Sequence, residues 1–588
     1  MARTYESALS HLAALQSNRA ITSLFSPPPN PTPSSTSSSG AGAGASSVKK
    51  PDLNALAIPE MLAWLQRAGL SQDDLAASKL RCIHVAGTKG KGSVCAYLTA
   101  LLAKSEDGEA RALAGKVGTY TSPHLVSVRE RIAIDGVPIS QDLFARYFFE
   151  VWDACTEAAR AELAAQRAAA EGNRNSEMVG MEISEEELQG PATKPFYFRF
   201  LTIVALRAFI GEGVRSAVVE CGIGGEYDST NVLPPASVTA SVVTQLGIDH
   251  VGMLGGTLPE IAWHKAGVCK PGRKCYTRHL TTAAAVDQGT EASEIAEKTM
   301  QVLRQRARDK GATLVEVEDA DVERWGGVKA SDKGAGSLEG EFQKYNQALA
   351  VLAAREHLRV LKSESSAATG SEQMETESLG EVPSTFTSAL QRARLRGRCE
   401  THDDEQAPVT WLIDGAHTAE SLTEVARWYS GKMKIAQAQA ERILLFNQQE
   451  RDAGRLVTGL IRDIEKNAPS QQTPLFTHAI FTRNDLLPRT RKDGDGDAET
   501  ETELEPERDL SVQQAAAEAL RNISPETSTI VLDNVADAVA RVRALALADS
   551  DGNGNGNGEG RRRTTVLVTG SLHLVGALLR TLEPDAAL

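Results

Sequence analysis

The chain has 588 residues, and 63 Lys and Arg against 77 Asp and Glu give a formal charge of −14. That length exceeds what one hydrophobic core usually spans, so two or more domains are expected. Residues 493–509, "DGDGDAETETELEPERD", hold nine acids and one arginine and so carry −8 of the charge, and neither they nor the mildly acidic remainder offer the basic stripe that nucleic-acid binding needs.

From the N-terminus, a helix is expected within residues 1–25, followed at 26–50 by a disordered Pro/Ser/Gly-rich segment with too few large apolar groups to offset the entropy of ordering. Residues 51–395 and 396–588 then read as two α/β domains, because apolar β-rich runs alternate with amphipathic stretches. The runs are "CIHVA", "SAVVE" and "SVTASVVTQL", then "VTWLI", "RILLFN", "HAIFT", "STIVLD" and "TTVLVTG", a rhythm that predicts mainly parallel sheets. Stretches near 156–190, 363–383, 487–510 and 548–563 read as flexible surface insertions. No apolar run is long enough to span a membrane, and "MARTYESALSHLAAL" lacks a signal-type apolar core. A cytoplasmic protein is expected, with an alternative start as the route to a mitochondrial form. The seven cysteines, Cys82, Cys95, Cys155, Cys221, Cys269, Cys275 and Cys399, form no CxxC pair and several lie in apolar runs, so reduced, buried thiols are expected.

Between the strand "CIHVA" and a helical repeat of Val94, Tyr97, Leu98, Leu101 and Leu102 stands "GTKGKGS", residues 87–93. In such a strand-to-helix turn, Gly87, Gly90 and Gly92 permit backbone conformations that a Cβ forbids, so that successive N–H groups can cradle a phosphate at the positive end of the helix. Lys91 adds a point charge for the β/γ-phosphates, and the Ser93 hydroxyl suits magnesium. The competing reading is an ordinary glycine-rich turn with exposed lysines. Two further strand ends point the same way. "SAVVE" puts Glu220 at the carboxyl edge of a sheet, where α/β proteins place their chemistry and where a carboxylate can hold magnesium. "VVTQLGIDHVGMLGGT" puts Asp249 and His250 past another strand, His250 being a candidate magnesium ligand beside carboxylates.

The blocks "HVAGTKGKGSVCAYL", "YTSPHLVSVRERIAIDG", "FYFRFLTIVAL", "AVVECGIGGEYDSTNV", "LGIDHVGMLG" and "IAWHKAGV" resemble the folylpolyglutamate synthases, relatives of the Mur ligases. The likeness continues through "GEFQKYNQALA", "LRGRCE", "WLIDGAHTAES", "ILLFNQQERD" and "VLVTGSLHLVGALL", and "DGAHT" resembles the eukaryotic branch. It implies a P-loop, Mur-ligase-like nucleotide domain followed by a smaller Rossmann-like C-terminal domain. The implied activity is ATP-dependent addition of L-glutamate to the γ-carboxyl of tetrahydrofolate polyglutamates through an acyl phosphate, with a monomer expected. Dihydrofolate synthase is the near rival, and a noncatalytic nucleotide-binding regulator the rival from another class.

The resemblance also assigns residues. Gly87, Thr88, Lys89, Gly90, Lys91, Gly92 and Ser93 match the ATP loop, with Lys91 on the triphosphate. Ser93 and Glu220 match a first Mg2+ site, and His250 a ligand of a second. Lys265 matches a lysine that this family often carbamylates, and there is room for a monovalent cation. Gln343, Asn346, Arg398, Asp414 and His417 match nucleotide-contacting positions, and Ser122, Pro123 and His124 a loop near the folate. Phe342 departs from the family, which usually has a histidine there.

Overall fold

The computed structural model describes residues 3–15, 53–171, 184–280, 290–330, 336–365, 379–433, 441–449, 451–467, 474–489, 507–551 and 563–584. Two compact units emerge: Met1–Pro123 with Arg131–Gly327 and Tyr345–Phe386, and His124–Glu130 with Val328–Lys344 and Thr387–Leu588. Where the sequence suggests one cut between 395 and 396, the division is discontinuous, with 124–130 and 328–344 grouped in the second unit. Such membership depends on contacts far apart in sequence, which local patterning does not register.

In the first unit, β1 (Arg81–Ala86), β2 (Val117–Tyr120), β3 (Ile132–Ile134), β4 (Val137–Pro138), β5 (Ser216–Glu220), β6 (Val238–Val243), β7 (Lys274–Arg278) and β8 (Thr313–Val317) form one sheet in the order β4-β3-β2-β5-β1-β6-β7-β8. Neighbours from β2 to β8 are parallel, and β3 and β4 add an antiparallel edge. β5 and β6 are buried along their whole length, as strands covered on both faces must be. Register sets Glu220 beside Val85 two strand-ends away from Val243, which pairs with Ala86, so β5, β1 and β6 finish at one carboxyl edge.

The helix Lys91–Ala103 packs on β5, β2 and the helix Gly108–Ala114. Val94, Tyr97, Leu98, Leu101 and Leu102 are buried, but so are Cys95, Thr99 and Ala100, so the helix is enclosed rather than one-faced. Tyr97 accepts a hydrogen bond from Gln347 at 3.2 Å. The N-terminal helix is Tyr5–Ala14, capped by Thr4, while the expected disordered segment 26–50 lies outside the described residues. One expected flexible insertion is partly helix: residues 156–171 continue the helix Gln141–Glu171. Its alanines, glutamates, glutamines and arginines are simple in composition yet among the best helix formers, so low complexity there does not mean low order.

In the second unit, β9 (Glu400–Asp403), β10 (Val409–Ile413), β11 (Arg442–Phe446), β12 (His478–Thr482), β13 (Ser528–Leu532) and β14 (Thr564–Thr569) run in the order β13-β12-β11-β14-β10-β9, parallel except for β9. Leu412, Leu444 and Leu567 point to one face, under the helices Ala419–Met433, Ala453–Asn467 and Ser511–Ile523. Their neighbours Trp411, Ile413, Val566 and Val568 point to the other, under Val535–Asp551 and Leu572–Leu582. This alternation makes a Rossmann-like layered unit. All seven cysteines are free and buried. Among the described residues no helix is long and apolar enough to cross a membrane.

Candidate active site

Past Ala86 the chain turns through Gly87 at φ 146° and Gly90 at φ 86°. A Cβ at Gly87 would stand 1.8 Å from Thr244 Oγ1, and one at Gly90 would stand 2.4 Å from Asn346 Oδ1. Glycine is needed at both for conformation and for space. Gly90 is the N-cap of Lys91–Ala103 and makes no side-chain cap bond, so the first-turn N–H groups are available to an anion at the positive helix end. Lys91 is the first helical residue, and Ser93 lies buried in the same turn. Thr88 and Lys89 face inward differently: their N–H groups both donate to Gln245 O, at 3.0 and 3.1 Å.

Glu220 closes β5 and is 3% exposed, with Oε2 accepting the Ser122 N–H at 3.1 Å. Ser122 and exposed Pro123 share a cis peptide. Lys265 ends the helix Leu258–Lys265, whose start is fixed by a Thr257/Glu260 capping box. It is 2% exposed and donates from Nζ to Gly87 O at 2.8 Å. Burial, reinforced by the Lys91 charge, pulls its pKa down to about 7. The charges of Asp249 and Asp228 also reach Lys265, and those of Glu220 and Lys91 both reach the Cys95 thiol. Lys91, Glu220, Lys265 and Asp249, separated by up to 174 positions, are thus gathered at one sheet edge. His250 heads the short helix Val251–Leu254 at φ 51°, with Nε2 3.9 Å from Asp249 Oδ2 and its side chain 45% exposed. Among the described residues no three His, Cys, Asp or Glu side chains are grouped to hold a metal ion.

Sequence reasoning missed what braces the loop after Glu220. Fully buried His84 meets Thr230 Oγ1 through Nε2 at 2.8 Å, Thr230 donates to Asp228 Oδ1 at 2.6 Å, and Asp228 Oδ2 accepts the Ile223 N–H at 2.9 Å. Burial lowers the His84 pKa to about 3, the Lys270 charge adding to it, so the ring is neutral. A histidine inside the strand run "CIHVA" was the available signal.

The remaining assigned residues lie in the second unit, except Asn346. Asp414 is buried, and its carboxylate oxygens accept the N–H groups of Cys399 at 2.7 Å and Ala416 at 2.8 Å. Burial raises its pKa, with the Arg398 charge opposing. Asp414 therefore ties the Arg398 turn to the 414–417 loop, and Arg398 lies so close that a Cβ at Gly415 would meet its Nη1 at 2.8 Å. His417 Nδ1 is 3.0 Å from Gly415 O. Gln448 donates from Nε2 to His417 O at 3.4 Å and to Gly570 O at 3.2 Å, a loop brace that the sequence did not disclose. Buried Gln343 donates its N–H to Gly340 O at 3.1 Å. Phe342 packs against the apolar cluster under Ala419–Met433, which suits an aromatic hydrocarbon where the family usually has a histidine. His124 begins a segment whose Leu125, Val126 and Ser127 N–H groups converge on the Glu130 carboxylate at 2.9, 2.8 and 2.5 Å.

Two α/β units in one chain, the first ending β1 on a glycine-shaped strand-to-helix turn of the phosphate-binding type, put this protein in the class of two-domain α/β proteins. No protein-family model matches it. Whole relatives do: the chain is 34% identical over 540 residues to a folylpolyglutamate synthase of Neurospora crassa, covering 92% of this chain and 87% of that one. It is 33% identical over 530 residues to one of Saccharomyces cerevisiae (strain FostersO), covering 90% and 81%. Among solved structures, Mycobacterium tuberculosis folylpolyglutamate synthase complexed with ADP and AMPPCP matches with a TM-score of 0.55 at 23% identity, covering 90% and 98%. The Thermotoga maritima enzyme matches at 0.53 and 19%, covering 91% and 99%, and both speak for the fold. By its fungal relatives the chain belongs to the folylpolyglutamate synthase family.

Proposed function

We propose that this protein is an ATP-dependent ligase that adds L-glutamate to the γ-carboxyl of folates, with tetrahydrofolate and its short polyglutamates as acceptors. The observation that carries this reading is a glycine-shaped loop ending on the open first turn of a buried helix, in a chain with folylpolyglutamate synthase relatives over nine-tenths of its length. A carboxylate is a poor acyl donor. Transfer of the γ-phosphoryl group of ATP to it yields an acyl phosphate and ADP; the glutamate amine then attacks the acyl carbon, phosphate leaves, and the nitrogen loses a proton. Positioning and charge stabilisation suffice for this, without a protein nucleophile.

In this reading the first-turn N–H groups and Lys91 take the phosphates. Ser93 and Glu220 are hard oxygen donors of the kind Mg2+ prefers, and they would hold it, with His250 serving a second ion. Bound Mg2+ neutralises charge that develops on the phosphoryl oxygens. Glu220 also holds the Ser122 N–H, which supports a link between the carboxylate and the Ser122, Pro123, His124 loop assigned to the folate. Asn346 in the first unit, and Gln343, Arg398, Asp414 and His417 in the second, are assigned to the nucleotide by the family resemblance, and within the second unit Asp414 orients the Arg398 turn. Lys265 acts as a carbamate. Its lowered pKa supplies the free amine that reacts with carbon dioxide, and the carbamate nitrogen keeps one N–H for Gly87 O.

A product assay tests the function. Purified protein with ATP, magnesium and L-glutamate is offered tetrahydrofolate or dihydropteroate in parallel. Tetrahydrofolate should be extended one glutamate at a time with one ADP formed per addition. Equal or better use of dihydropteroate would make the protein a dihydrofolate synthase instead.

A further inference from the structure

One neighbouring segment, residues 244–247, holds the phosphate loop, and it runs straight on to Asp249 and His250. The Thr88 hydroxyl donates to Gly247 O at 3.0 Å and accepts the Gly247 N–H at 3.1 Å. The Thr244 hydroxyl donates to Lys89 O at 2.7 Å, and Thr244 N donates to Ala86 O at 2.8 Å. With the two bonds from Thr88 N and Lys89 N to Gln245 O, the segments pair as a short antiparallel bridge. Thr244 is 1% exposed, and its Oγ1 occupies the space a Cβ on Gly87 would need. Gly87 is thereby held from two sides, since its carbonyl accepts from Lys265.

We propose that Thr88 and Thr244 are positioning residues that clasp the phosphate loop to the 244–250 segment. The clasp sets the register of the loop over the helix N-terminus and the location of Asp249 and His250 together. Thr88 acts through the loop: its hydroxyl proton and its N–H are both engaged within the protein, so its contribution to nucleotide binding is the shape it imposes. A two-point bond from one hydroxyl to the N–H and C=O of a single residue fixes orientation as well as distance. Valine has the same outline as threonine but lacks those bonds, so it loosens the clasp while filling the space.

The proposal rests on the ATP-ligase reading, and its test separates the two. Equilibrium ATP binding by calorimetry, without acceptor, and initial rates against ATP and glutamate are measured on the full chain for wild type, Thr88→Val, Thr88→Ser, Thr244→Val and Thr244→Ser. Each valine variant should bind ATP roughly tenfold more weakly and show a similar rise in KM for ATP, with KM for glutamate within about twofold of wild type. Each serine variant, which keeps the hydroxyl, should return to within about twofold of wild type. Half-buried Thr88 carries the test if Thr244→Val does not fold. Valine variants with wild-type ATP affinity, or serine variants as weak as valine, overturn the clasp. A wild-type chain that does not bind ATP overturns the ligase reading, and the clasp's role with it.

Discussion

Lys91 and Lys265 carry the same ammonium group, and burial gives them different chemistry. Lys91 heads a helix and is partly exposed, so its charge is available to a phosphate. Lys91→Ala should leave the melting temperature and circular dichroism near wild type and cost several kcal/mol of transition-state stabilisation, on the order of a thousandfold in rate. Turnover near wild type in a folded variant would remove the loop from the mechanism. Lys265 is buried, and with its pKa lowered to about 7 the free amine becomes the major form as pH rises through that value, whereas an ordinary lysine needs about 10.4. On the proposed role, the carbamate would form from that amine and carbon dioxide with release of a proton. Stripping bicarbonate from the buffer should lower wild-type activity, and restoring it should recover activity at about pH 8 far better than at about pH 6. Lys265→Ala should be inactive, indifferent to bicarbonate and partly rescued by acetate or formate. Bicarbonate indifference in the wild type would leave Lys265 as a plain hydrogen-bond donor to Gly87.

Among elements, helical glycines show how packing overrides propensity. Gly459, inside Ala453–Asn467, has nothing within 4 Å of where a Cβ would stand, so Gly459→Ala should stabilise by about 0.5–1 kcal/mol. Gly576, inside Leu572–Leu582, would put a Cβ 2.1 Å from Leu125 O, and Leu125 is held in turn by Glu130. Gly576→Ala should therefore destabilise by about 2 kcal/mol or more despite alanine's better propensity. Thermal melts of the two variants moving in the same direction would contradict this account. The same contrast explains what could be read from letters. β1, β5, β6, β10, β11, β12, β13 and β14 are legible as compact apolar runs. β4 has only two residues, and β9, "ETHD", is polar because it pairs at an edge, so neither leaves such a trace. The glycine turn at the start of Lys91–Ala103 and the place of Glu220 at the end of β5 were legible because their signals are local. Thr244 was not, since its partner Lys89 lies 155 positions away, and the His84 network was not, since Thr230 lies 146 away.

For the whole molecule, the distribution of buried histidines predicts which unit fails first in acid. Fully buried His84 and His357 both belong to the first unit, and among the described residues no histidine of the second unit is buried. His357 is held at both nitrogens, by Thr239 Oγ1 at 2.7 Å and Ser216 Oγ at 2.8 Å, and so joins β6 to β5. Burial, aided by Lys270 for His84 and by Arg215 for His357, lowers both pKa values to about 3. In the unfolded chain the rings titrate near 6.5. Between about 6.5 and about 3 the unfolded state therefore binds two more protons than the folded one, so stability present above that window is lost as pH falls through it. Two such groups represent several kcal/mol, comparable with the ~5–15 kcal/mol that holds a domain together. Asp228 in the first unit and Asp414 in the second work the other way, since burial raises their pKa values and favours the folded state in acid. Carboxylates with lowered pKa values, Glu316 in the first unit and Asp404 and Glu583 in the second, lose their contribution only below about pH 5, so above that the histidines make the difference between the units. Hydrogen exchange by mass spectrometry across about pH 7 to 4, corrected for intrinsic rates, should show the strands around His84 and His357 losing protection before β10–β14. His84→Gln with His357→Gln should lower the first unit's acid midpoint relative to the stability of the variant at neutral pH. Simultaneous loss of protection in both units, or an acid midpoint that ignores these substitutions, would refute the assignment.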